Sequence, residues 1–504
     1  MRKPLLLLAG LVVLLASAPG AAQATDVTVT SFDGTKIVAH WFPVAGASAS
    51  STKPTVMMGP GWGGAGDENV SGTGSTSVGI PGIKTLHDAG YNVLTWDPRG
   101  FGASGGTVEV NSPKFEGRDA RKLIDWLATQ PGVRLDKPGD PRLGMAGASY
   151  GGGIQLVTAG LDRRVDAIAP SIAWNSLQTS LDKDLTVKTG WSGFLYGVAA
   201  GRSLDPHVKA SYEQGVATGI LSSDNANWFI DRGPGDALVR KIRVPTLLVQ
   251  GTVDTLFTLS EAVRNYGILR KGGVPVQMVW FCGGHGACLT DEGDGRYPIT
   301  ATVRWFARYL KGQKVSTGPR FSGIAQDGTR FAAADYPPER GTPLRATGRG
   351  TLKLQADGGA GPAKIPATAG GLGALVAPLT PGQATNAVNV KVRAPRAALV
   401  SGPPTVALTY RGTVPGPRPA RVFAQLVDAK TGFVLGNQIT PIPLTLDGKT
   451  RTVSRPLEIV AQRMAKGSAV TLQLVASTVA YAAPRLGGDV AFSRVAVTLP
   501  TVAR

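Results

Sequence analysis

Two patterns of apolar and polar residues divide the chain. Up to about residue 314, short apolar runs bounded by turn residues alternate with segments of helical period. The runs predict strands at 26–32, 36–43, 55–59, 92–96, 143–146, 166–171, 243–251 and 276–281, and helices are predicted at about 82–89, 114–128, 150–158, 260–269 and 299–310. Such alternation is typical of a parallel sheet with helices on both faces.

The pattern changes in two places. Between about residues 175 and 240 the alternation is interrupted by a stretch rich in aromatic residues, which predicts a helical cap over the sheet. From about residue 315, Gly, Pro and Thr become frequent and alternating runs recur, as at 405–411 and 490–499. These runs predict a β-sandwich or jelly roll. We therefore expect a catalytic α/β domain at 25–314 and an all-β domain at 315–504.

The first residues predict export from the cell. M-R-K precedes an apolar run over residues 5–18 and then A-Q-A at 22–24, which are the three parts of a secretory signal peptide. This run is shorter than the roughly 20 residues that span a bilayer, and no later segment is long and apolar enough to do so. We expect residues 1–24 to be removed after about Ala24 and the mature protein to be secreted, without a transmembrane segment.

The net charge of +19 is concentrated in the C-terminal domain. Residues 315–504 carry 22 Lys and Arg against 8 Asp and Glu. This asymmetry is compatible with binding to an anionic cell envelope, and equally with arginines scattered over a solvated β-domain. No dense basic cluster with interleaved aromatics accompanies the charge, so nucleic acid is not an expected partner.

A serine in a strand-to-helix turn is the first candidate for chemistry. G-A-S-Y-G at 147–151 matches the G-x-S-x-G pattern of a nucleophile elbow, the sharp turn that exposes a serine hydroxyl. A second match, G-A-S-G-G at 102–106, precedes a segment that has no helical period and contains proline. Only Ser149 has a predicted strand before it and a predicted helix after it. The sequence therefore predicts Ser149 as the nucleophile and Ser104 as a loop residue.

Two further side chains complete a triad. Asp254 follows the predicted strand at 243–251, and His285 lies in the loop after the strand at 276–281. Ligands of open α/β sheets bind at the carboxyl ends of the strands. The order Ser149, Asp254, His285 is that of the α/β-hydrolase triad, in which the histidine takes and returns the serine proton and the aspartate orients the histidine. We expect an α/β-hydrolase fold with a cap at about 175–240.

Residues around this triad have predicted supporting roles. The glycine-rich turn G-P-G-W-G-G predicts that the amides of Trp62 and Tyr150 stabilise an oxyanion, although an ordinary tight turn is an alternative. Cys282 and Cys288, the two cysteines of the chain, flank His285. In an exported protein they could form a disulfide that braces this loop, with two free thiols as the alternative. Too few ligands cluster there to predict a metal site.

Several segments together resemble a known family. They are G-A-S-Y-G-G at the elbow, V-D-T-L-F-T-L-S-E-A-V-R-N-Y around Asp254, G-G-H-G at His285, and the β-domain with its entry segment G-T-P-L-R-A-T-G-R-G-T-L at 341–352. The combination resembles the CocE/NonD hydrolases of the X-Pro dipeptidyl-peptidase (S15) superfamily over nearly the whole mature chain. The resemblance implies an acyl-enzyme hydrolase with a C-terminal jelly roll. Family members often supply a tyrosine to the oxyanion hole, where this chain has G-P-G-W-G-G.

The expected function is that of a serine hydrolase similar to X-Pro dipeptidyl-peptidases, acting on N-terminal Xaa-Pro dipeptides or small esters without a metal or organic cofactor. A carboxylesterase of the cocaine-esterase type is the alternative, and a catalytically vestigial envelope-binding protein is a remote third. A dipeptidyl peptidase must also hold a free N-terminal ammonium group. The candidates for this role are the acidic loop residues Asp67, Glu68, Asp182 and Asp184.

Overall fold

The structure, a computed structural model, describes residues 24–364, 375–414, 420–482 and 486–503. The predicted signal peptide, residues 1–24, lies outside these ranges except for Ala24. Among the described residues, no helix combines the length and the apolar character that crossing a membrane would require.

The N-terminal part is built on one large sheet and two small hairpins. Its strands are β1 (Thr25–Thr30), β2 (Lys36–Phe42), β3 (Thr55–Gly59), β4 (Gly74–Ser75), β5 (Ile80–Pro81), β6 (Asn92–Trp96), β7 (Leu135–Lys137), β8 (Asp140–Pro141), β9 (Leu143–Ala148), β10 (Val165–Ser171), β11 (Thr246–Gly251), β12 (Val276–Phe281), β13 (Phe321–Ile324) and β14 (Arg330–Ala333). The ten-stranded sheet has the order β1-β2-β6-β3-β9-β10-β11-β12-β13-β14. Neighbouring strands run parallel from β6 to β13, as the alternating pattern predicts.

Helices cover both faces of this sheet and form the cap. They are α1 (Ile83–Asp88), α2 (Glu116–Leu127), α3 (Tyr150–Leu161), α4 (Leu177–Leu181), α5 (Thr189–Val198), α6 (Pro206–Thr218), α7 (Ser223–Ile230), α8 (Gly235–Val239), α9 (Leu259–Lys271) and α10 (Tyr297–Lys311). The apolar sides of α2, α3 and α9 pack on one face through residues such as Leu123, Leu156 and Tyr266. Those of α1 and α10 pack on the other through Leu86 and Phe306. The segment from α4 to α8 is the predicted helical cap.

The sheet extends beyond the domain boundary expected at residue 314. β13 pairs with β12 in parallel, and β14 returns beside it in an antiparallel hairpin. This hairpin is held by aromatic contacts, since Phe321 is fully buried and its ring meets those of Trp280 and Tyr336 at centroid distances of 4.7 and 5.0 Å. The sheet thus continues past the boundary predicted at 314. The sequence pattern missed this hairpin because strands of four residues give too weak a pattern to recognise.

The C-terminal domain is all-β, as predicted. Its strands are β15 (Leu344–Lys353), β16 (Ala387–Arg393), β17 (Ala398–Gly402), β18 (Thr405–Gly412), β19 (Ala420–Asp428), β20 (Val434–Leu444), β21 (Arg451–Pro456), β22 (Val460–Met464), β23 (Ala469–Val475) and β24 (Asp489–Leu499). Two four-stranded antiparallel sheets, β15-β24-β18-β21 and β16-β23-β19-β20, enclose an apolar core between them. The fold class predicted from the sequence, an α/β-hydrolase domain followed by a β-sandwich, is confirmed.

Candidate active site

Ser149 lies at a sharp turn between β9 and α3. Its φ is +56°, a left-handed conformation that a residue with a side chain adopts only where the surrounding structure enforces it. The close approach of β3 to the start of α3 supplies that constraint, because a Cβ atom on Gly151 would lie 2.0 Å from the carbonyl oxygen of Gly59. The turn therefore has the strained geometry of a nucleophile elbow.

Ser104, in the second match to the same motif, has a different environment. Its hydroxyl donates a hydrogen bond to the carbonyl oxygen of Asp97 at 2.7 Å and accepts one from the amide of Val38 at 2.8 Å. The first bond lies within the loop after β6, and the second ties this loop to β2. The hydroxyl thus serves to hold this loop, in line with the prediction that Ser104 is a loop residue.

The structure brings the three predicted triad residues together. The Nε2 atom of His285 lies 2.8 Å from the Oγ atom of Ser149, and its Nδ1 atom lies 2.8 Å from Oδ2 of Asp254. Asp254 is fully buried, and its second oxygen accepts hydrogen bonds from the amides of Leu256 and Phe257. These bonds fix the carboxylate so that it can orient the imidazole. The arrangement is able to remove a proton from Ser149 and return it to a leaving group.

The loop that carries His285 is braced on two sides. Cys282 and Cys288 form a disulfide with a Cα–Cα distance of 5.5 Å, which confirms the pairing considered from the sequence. The rings of Phe257 and Trp191 meet the imidazole edge-on, with centroid distances of 5.2 and 5.7 Å. Rigid side chains on both sides restrict the positions that the imidazole can take.

Trp62 and Tyr150, whose amides are predicted to form an oxyanion hole, line the same pocket as Ser149. Tyr150 is the first residue of α3, where an amide has no intrahelical acceptor. Within the described residues, neither the amide of Tyr150 nor that of Trp62 donates to a protein acceptor. Both are therefore free to donate to a ligand, and their catalytic role remains a prediction.

A buried polar network, not anticipated from the sequence, holds Tyr150. Asn111 donates from its side chain to the carbonyl oxygen of Tyr150 at 2.7 Å and from its amide to the phenolic oxygen at 3.1 Å. The phenol in turn donates to Glu116 at 3.2 Å. Burial raises the pKa of Glu116 to about 7. The network fixes the main chain next to Ser149. Its members gave no local sequence signal because Asn111 and Glu116 lie 39 and 34 residues from Tyr150 in the chain.

The cap supplies a buried lysine to the loop that follows Asp254. Nζ of Lys188 donates to the carbonyl oxygens of Thr255 at 2.8 Å and Leu256 at 2.9 Å. Burial lowers the pKa of this lysine to about 8. Trp191, one turn further on, donates from its indole to the hydroxyl of Thr255 at 3.0 Å. The cap thus holds residues 254–257, which we call the aspartate loop, in place through hydrogen bonds.

The pocket above Ser149 is lined by apolar and hydroxyl side chains. Four of the cap aromatics seen in the sequence border it, namely Trp174, Tyr196, Tyr212 and Phe229. None of the described lining residues carries a charge. The four acids considered for ammonium binding are absent from the lining. Asp67, Glu68 and Asp184 are exposed, whereas Asp182 is buried.

Comparison with known proteins assigns the chain to a family. A model of the X-Pro dipeptidyl-peptidase (S15) family matches residues 33–287, about half of the chain and the part that contains the site. The chain belongs to this family. Among S15-type relatives, a putative Xaa-Pro dipeptidyl-peptidase from Rhodopirellula baltica is 24% identical over 282 residues, covering 49% of this chain and 43% of that protein. The chain spans about half the length of the curated relatives it matches.

Solved structures share the fold of this protein along nearly the whole chain. A CocE/NonD family hydrolase from Staphylococcus aureus has a TM-score of 0.69 at 13% identity, covering 95% of this chain and 93% of its own. An α-amino acid ester hydrolase has a TM-score of 0.72 at 14% identity, covering 96% and 98%. At these identities the comparison establishes the fold, including the C-terminal domain, and the substrate must be argued from the site.

Proposed function

We propose that this S15-family protein is a serine hydrolase that cleaves esters of apolar acyl groups through an acyl-enzyme on Ser149. The observation that carries the proposal is the hydrogen-bonded chain from Ser149 through His285 to Asp254, with both distances at 2.8 Å, beside an uncharged pocket. The chemistry follows from a serine activated by a histidine and needs no additional group.

In the proposed reaction, Nε2 of His285 takes the proton of Ser149 while Oγ attacks the carbonyl carbon of the ester. The negative charge that forms on the carbonyl oxygen is stabilised by the amides of Trp62 and Tyr150. His285 then protonates the leaving alkoxide as the carbon–oxygen bond breaks, which leaves the acyl group on Ser149. A water molecule, deprotonated by His285, hydrolyses this acyl-enzyme and restores the serine.

The uncharged pocket favours an apolar acyl group over an N-terminal dipeptide. A free ammonium group loses much of its hydration in such a pocket, and this cost is offset only where a carboxylate faces it. The lining offers hydroxyls, including those of Ser192 and Ser211, and no carboxylate among the described residues. Family membership keeps X-Pro dipeptidyl peptidase activity as the second candidate, so the test includes peptide substrates.

We also propose that the protein is exported. The disulfide between Cys282 and Cys288 supports this, because such bonds persist in oxidising compartments and are rare in the cytosol. Cell fractionation with mass determination of the N-terminus tests the proposal, which expects Thr25 to be the first residue of an extracellular protein. Recovery of the intact N-terminus in the cytosol would contradict it. Envelope binding by the basic C-terminal domain stays a prediction.

The test of activity is hydrolysis of a paired substrate panel by the purified protein, with Ser149→Ala as the blank. The panel contains aryl esters of short and longer apolar acids, an α-amino acid ester and Xaa-Pro anilides. We expect turnover of apolar esters that is lost in Ser149→Ala, with little cleavage of the substrates that carry a free ammonium group. Efficient cleavage of the anilides would replace the esterase proposal with the peptidase, and activity retained by Ser149→Ala would overturn both.

A further inference from the structure

We propose that the C-terminal β-domain is a working part of the active site, in which Asn437, Gln438 and Glu458 position the loops that carry His285 and Asp254. The inference rests on the proposed function of the triad. None of the three side chains is placed to touch the substrate or the reacting atoms, so they are positioning residues. They give the β-domain a role in turnover that its fold alone does not suggest.

Two consecutive residues of β20 reach the two loops. The side-chain amide of Gln438 donates to the carbonyl oxygen of Asp254 at 2.8 Å, and that of Asn437 donates to the carbonyl oxygen of Ala287 at 2.8 Å. Both side chains are buried, with exposed fractions of 7% and 3%. One bond thus fixes the main chain of the triad aspartate, and the other fixes the main chain two residues after His285.

An irregularity in β20 makes this reach possible. The pairing of β19 with β20 shifts register between Gln425 and Val427, opposite the segment that contains Gly436 and Asn437. Both of these residues have positive φ values, +61° and +57°, which bend the strand away from the ladder. The bend brings β20 into close contact with the catalytic domain, since a Cβ atom on Gly436 would lie 2.8 Å from the carbonyl oxygen of Thr252. In a regular strand, two consecutive side chains would point to opposite faces of the sheet.

Glu458 forms a second attachment from the β-domain. It is 2% exposed, and its carboxylate accepts hydrogen bonds from the hydroxyls of Thr258 at 2.8 Å and Ser260 at 3.0 Å, just beyond the aspartate loop. Its other oxygen forms an ion pair with Lys183 of the cap. Nearby lysines hold the pKa of Glu458 below its usual value although burial opposes this. The carboxylate thus joins the cap, the aspartate loop and the β-domain at one buried point.

These attachments act on the geometry of the triad. The aspartate loop is held through Leu256 and Thr255 by the cap and through Asp254 by Gln438, so removing one contact lets the carboxylate shift relative to the imidazole. Shifts of about 1 Å far from the reacting atoms can lower turnover roughly a hundredfold. The effect falls on proton transfer, which every substrate shares, and leaves the acyl pocket unchanged.

The test replaces Gln438 by methionine, which keeps the length of the side chain and removes the hydrogen bond. We expect kcat for ester hydrolysis to fall about tenfold or more, with KM unchanged and the same fall for short and longer acyl groups. The rate at which a fluorophosphonate labels Ser149 should fall in parallel, because it depends on the same activation of the serine. Asn437→Gly, which tolerates the positive φ, should behave similarly.

The matched control is Gln473→Met. Gln473 is buried in the same β-domain, and its side chain bonds to Ala384, Asn389 and Gln425, with no bond to either catalytic loop. If Gln438→Met loses kcat and labelling rate while Gln473→Met at a comparable melting temperature loses neither, the inference is supported. Equal losses in the two variants, or unchanged kcat in both Gln438→Met and Asn437→Gly, would overturn it. Should Gln438→Met fail to fold, Asn437→Gly compared with Gln473→Met decides the question.

Failure of this inference is distinguishable from failure of the proposed function. If the unaltered protein neither hydrolyses esters nor reacts with fluorophosphonate at Ser149, the proposed function fails and the positioning role fails with it. If the unaltered protein reacts at Ser149 and all β-domain variants react at the same rate, only the positioning role is wrong.

Discussion

Two sets of side chains with opposite chemistry support the active site. On the cap side, apolar and aromatic side chains such as Trp174, Tyr212 and Phe229 cover the nucleophile. On the side of the C-terminal domain, buried polar side chains bind the main chain of the loops that carry the triad, as Gln438 binds Asp254. Apolar contacts are non-directional and adapt to different acyl groups, whereas hydrogen bonds fix positions.

This difference separates selection of the substrate from the rate of the reaction. Changes in the cap residues that line the pocket should alter which acyl group is preferred. Changes in the contacts that hold the loops of Asp254 and His285 should alter turnover of every substrate alike. Lys188 is the exception on the cap side, because it bonds to carbonyl oxygens of the aspartate loop rather than to the pocket. The predictions below test this division, starting with the largest effect.

Loss of the base should affect every substrate equally. His285→Ala removes the group that takes the serine proton, and we expect kcat to fall by roughly three to six orders of magnitude with the fold intact. Steady-state kinetics on short and longer acyl esters measures the effect. His87→Ala, a histidine of helix α1, is the control and should keep full activity. A fall confined to some acyl groups would break the proposed division.

Removal of the disulfide should loosen the histidine loop. The double variant Cys282→Ser with Cys288→Ser opens a short loop, which we expect to lower the free energy of unfolding by roughly 2–3 kcal/mol and to lower kcat for all esters. Denaturant unfolding with and without reductant measures the first effect. Reductant should destabilise the original protein and leave the double variant unchanged. Two titrating thiols in the unfolded, unreduced original would refute the disulfide.

Asp182 lies where the cap meets the β-domain and should make stability depend on pH. Burial raises the pKa of this carboxyl to about 7, near the equally buried Arg421. A raised pKa means that the stabilising contribution of the protonated form is present at low pH and is lost as pH rises through 7. Between pH 5 and 7 we expect the free energy of unfolding to fall by roughly 2 kcal/mol more in the original protein than in Asp182→Asn.

The control for this effect is Asp184→Asn, at an exposed position two residues further along. Urea unfolding at pH 5, 6 and 7 should give the same pH dependence for this variant as for the original protein. A slope that is unchanged in Asp182→Asn would mean that the Asp182 carboxyl is already ionised at pH 5.

Enlarging the acyl pocket on the cap side should change which acyl group is preferred, and this is the smallest of the expected effects. Phe229→Ala removes a ring from the pocket and should raise kcat/KM for bulky acyl esters over short ones by about tenfold, or about 1.4 kcal/mol. Val216→Ala, a change at an exposed side chain of the same cap, should leave the ratio unchanged. A uniform change across the acyl series would show that Phe229 acts on turnover rather than on selection.

The sequence predicted those parts of the site that follow from local pattern. Ser149 and Ser104 match the same five-residue motif, and the strand before and the helix after Ser149 distinguish them, as the structure bears out for the two turns. Asp254 and His285 were found because each lies just beyond a buried strand. The disulfide was recognisable from two cysteines that flank one histidine.

The remaining parts depend on contacts between segments that are distant in the chain. Gln438 lies 184 residues from its partner Asp254, and Glu458 lies 200 residues from Thr258. A glutamine or glutamate in a β-strand gives no local sign of such a partner. The hairpin of β13 and β14 was missed for a related reason, because its place in the sheet depends on packing against β12 rather than on its own pattern.

The most direct test of the central claim is to treat the purified protein with a fluorophosphonate and locate the adduct by peptide mass mapping. We predict one adduct, on Ser149, that is lost in Ser149→Ala and forms far more slowly in His285→Ala. An adduct on Ser104 or on another residue, or no adduct under conditions in which esters are hydrolysed, would contradict the assignment of Ser149 as the nucleophile.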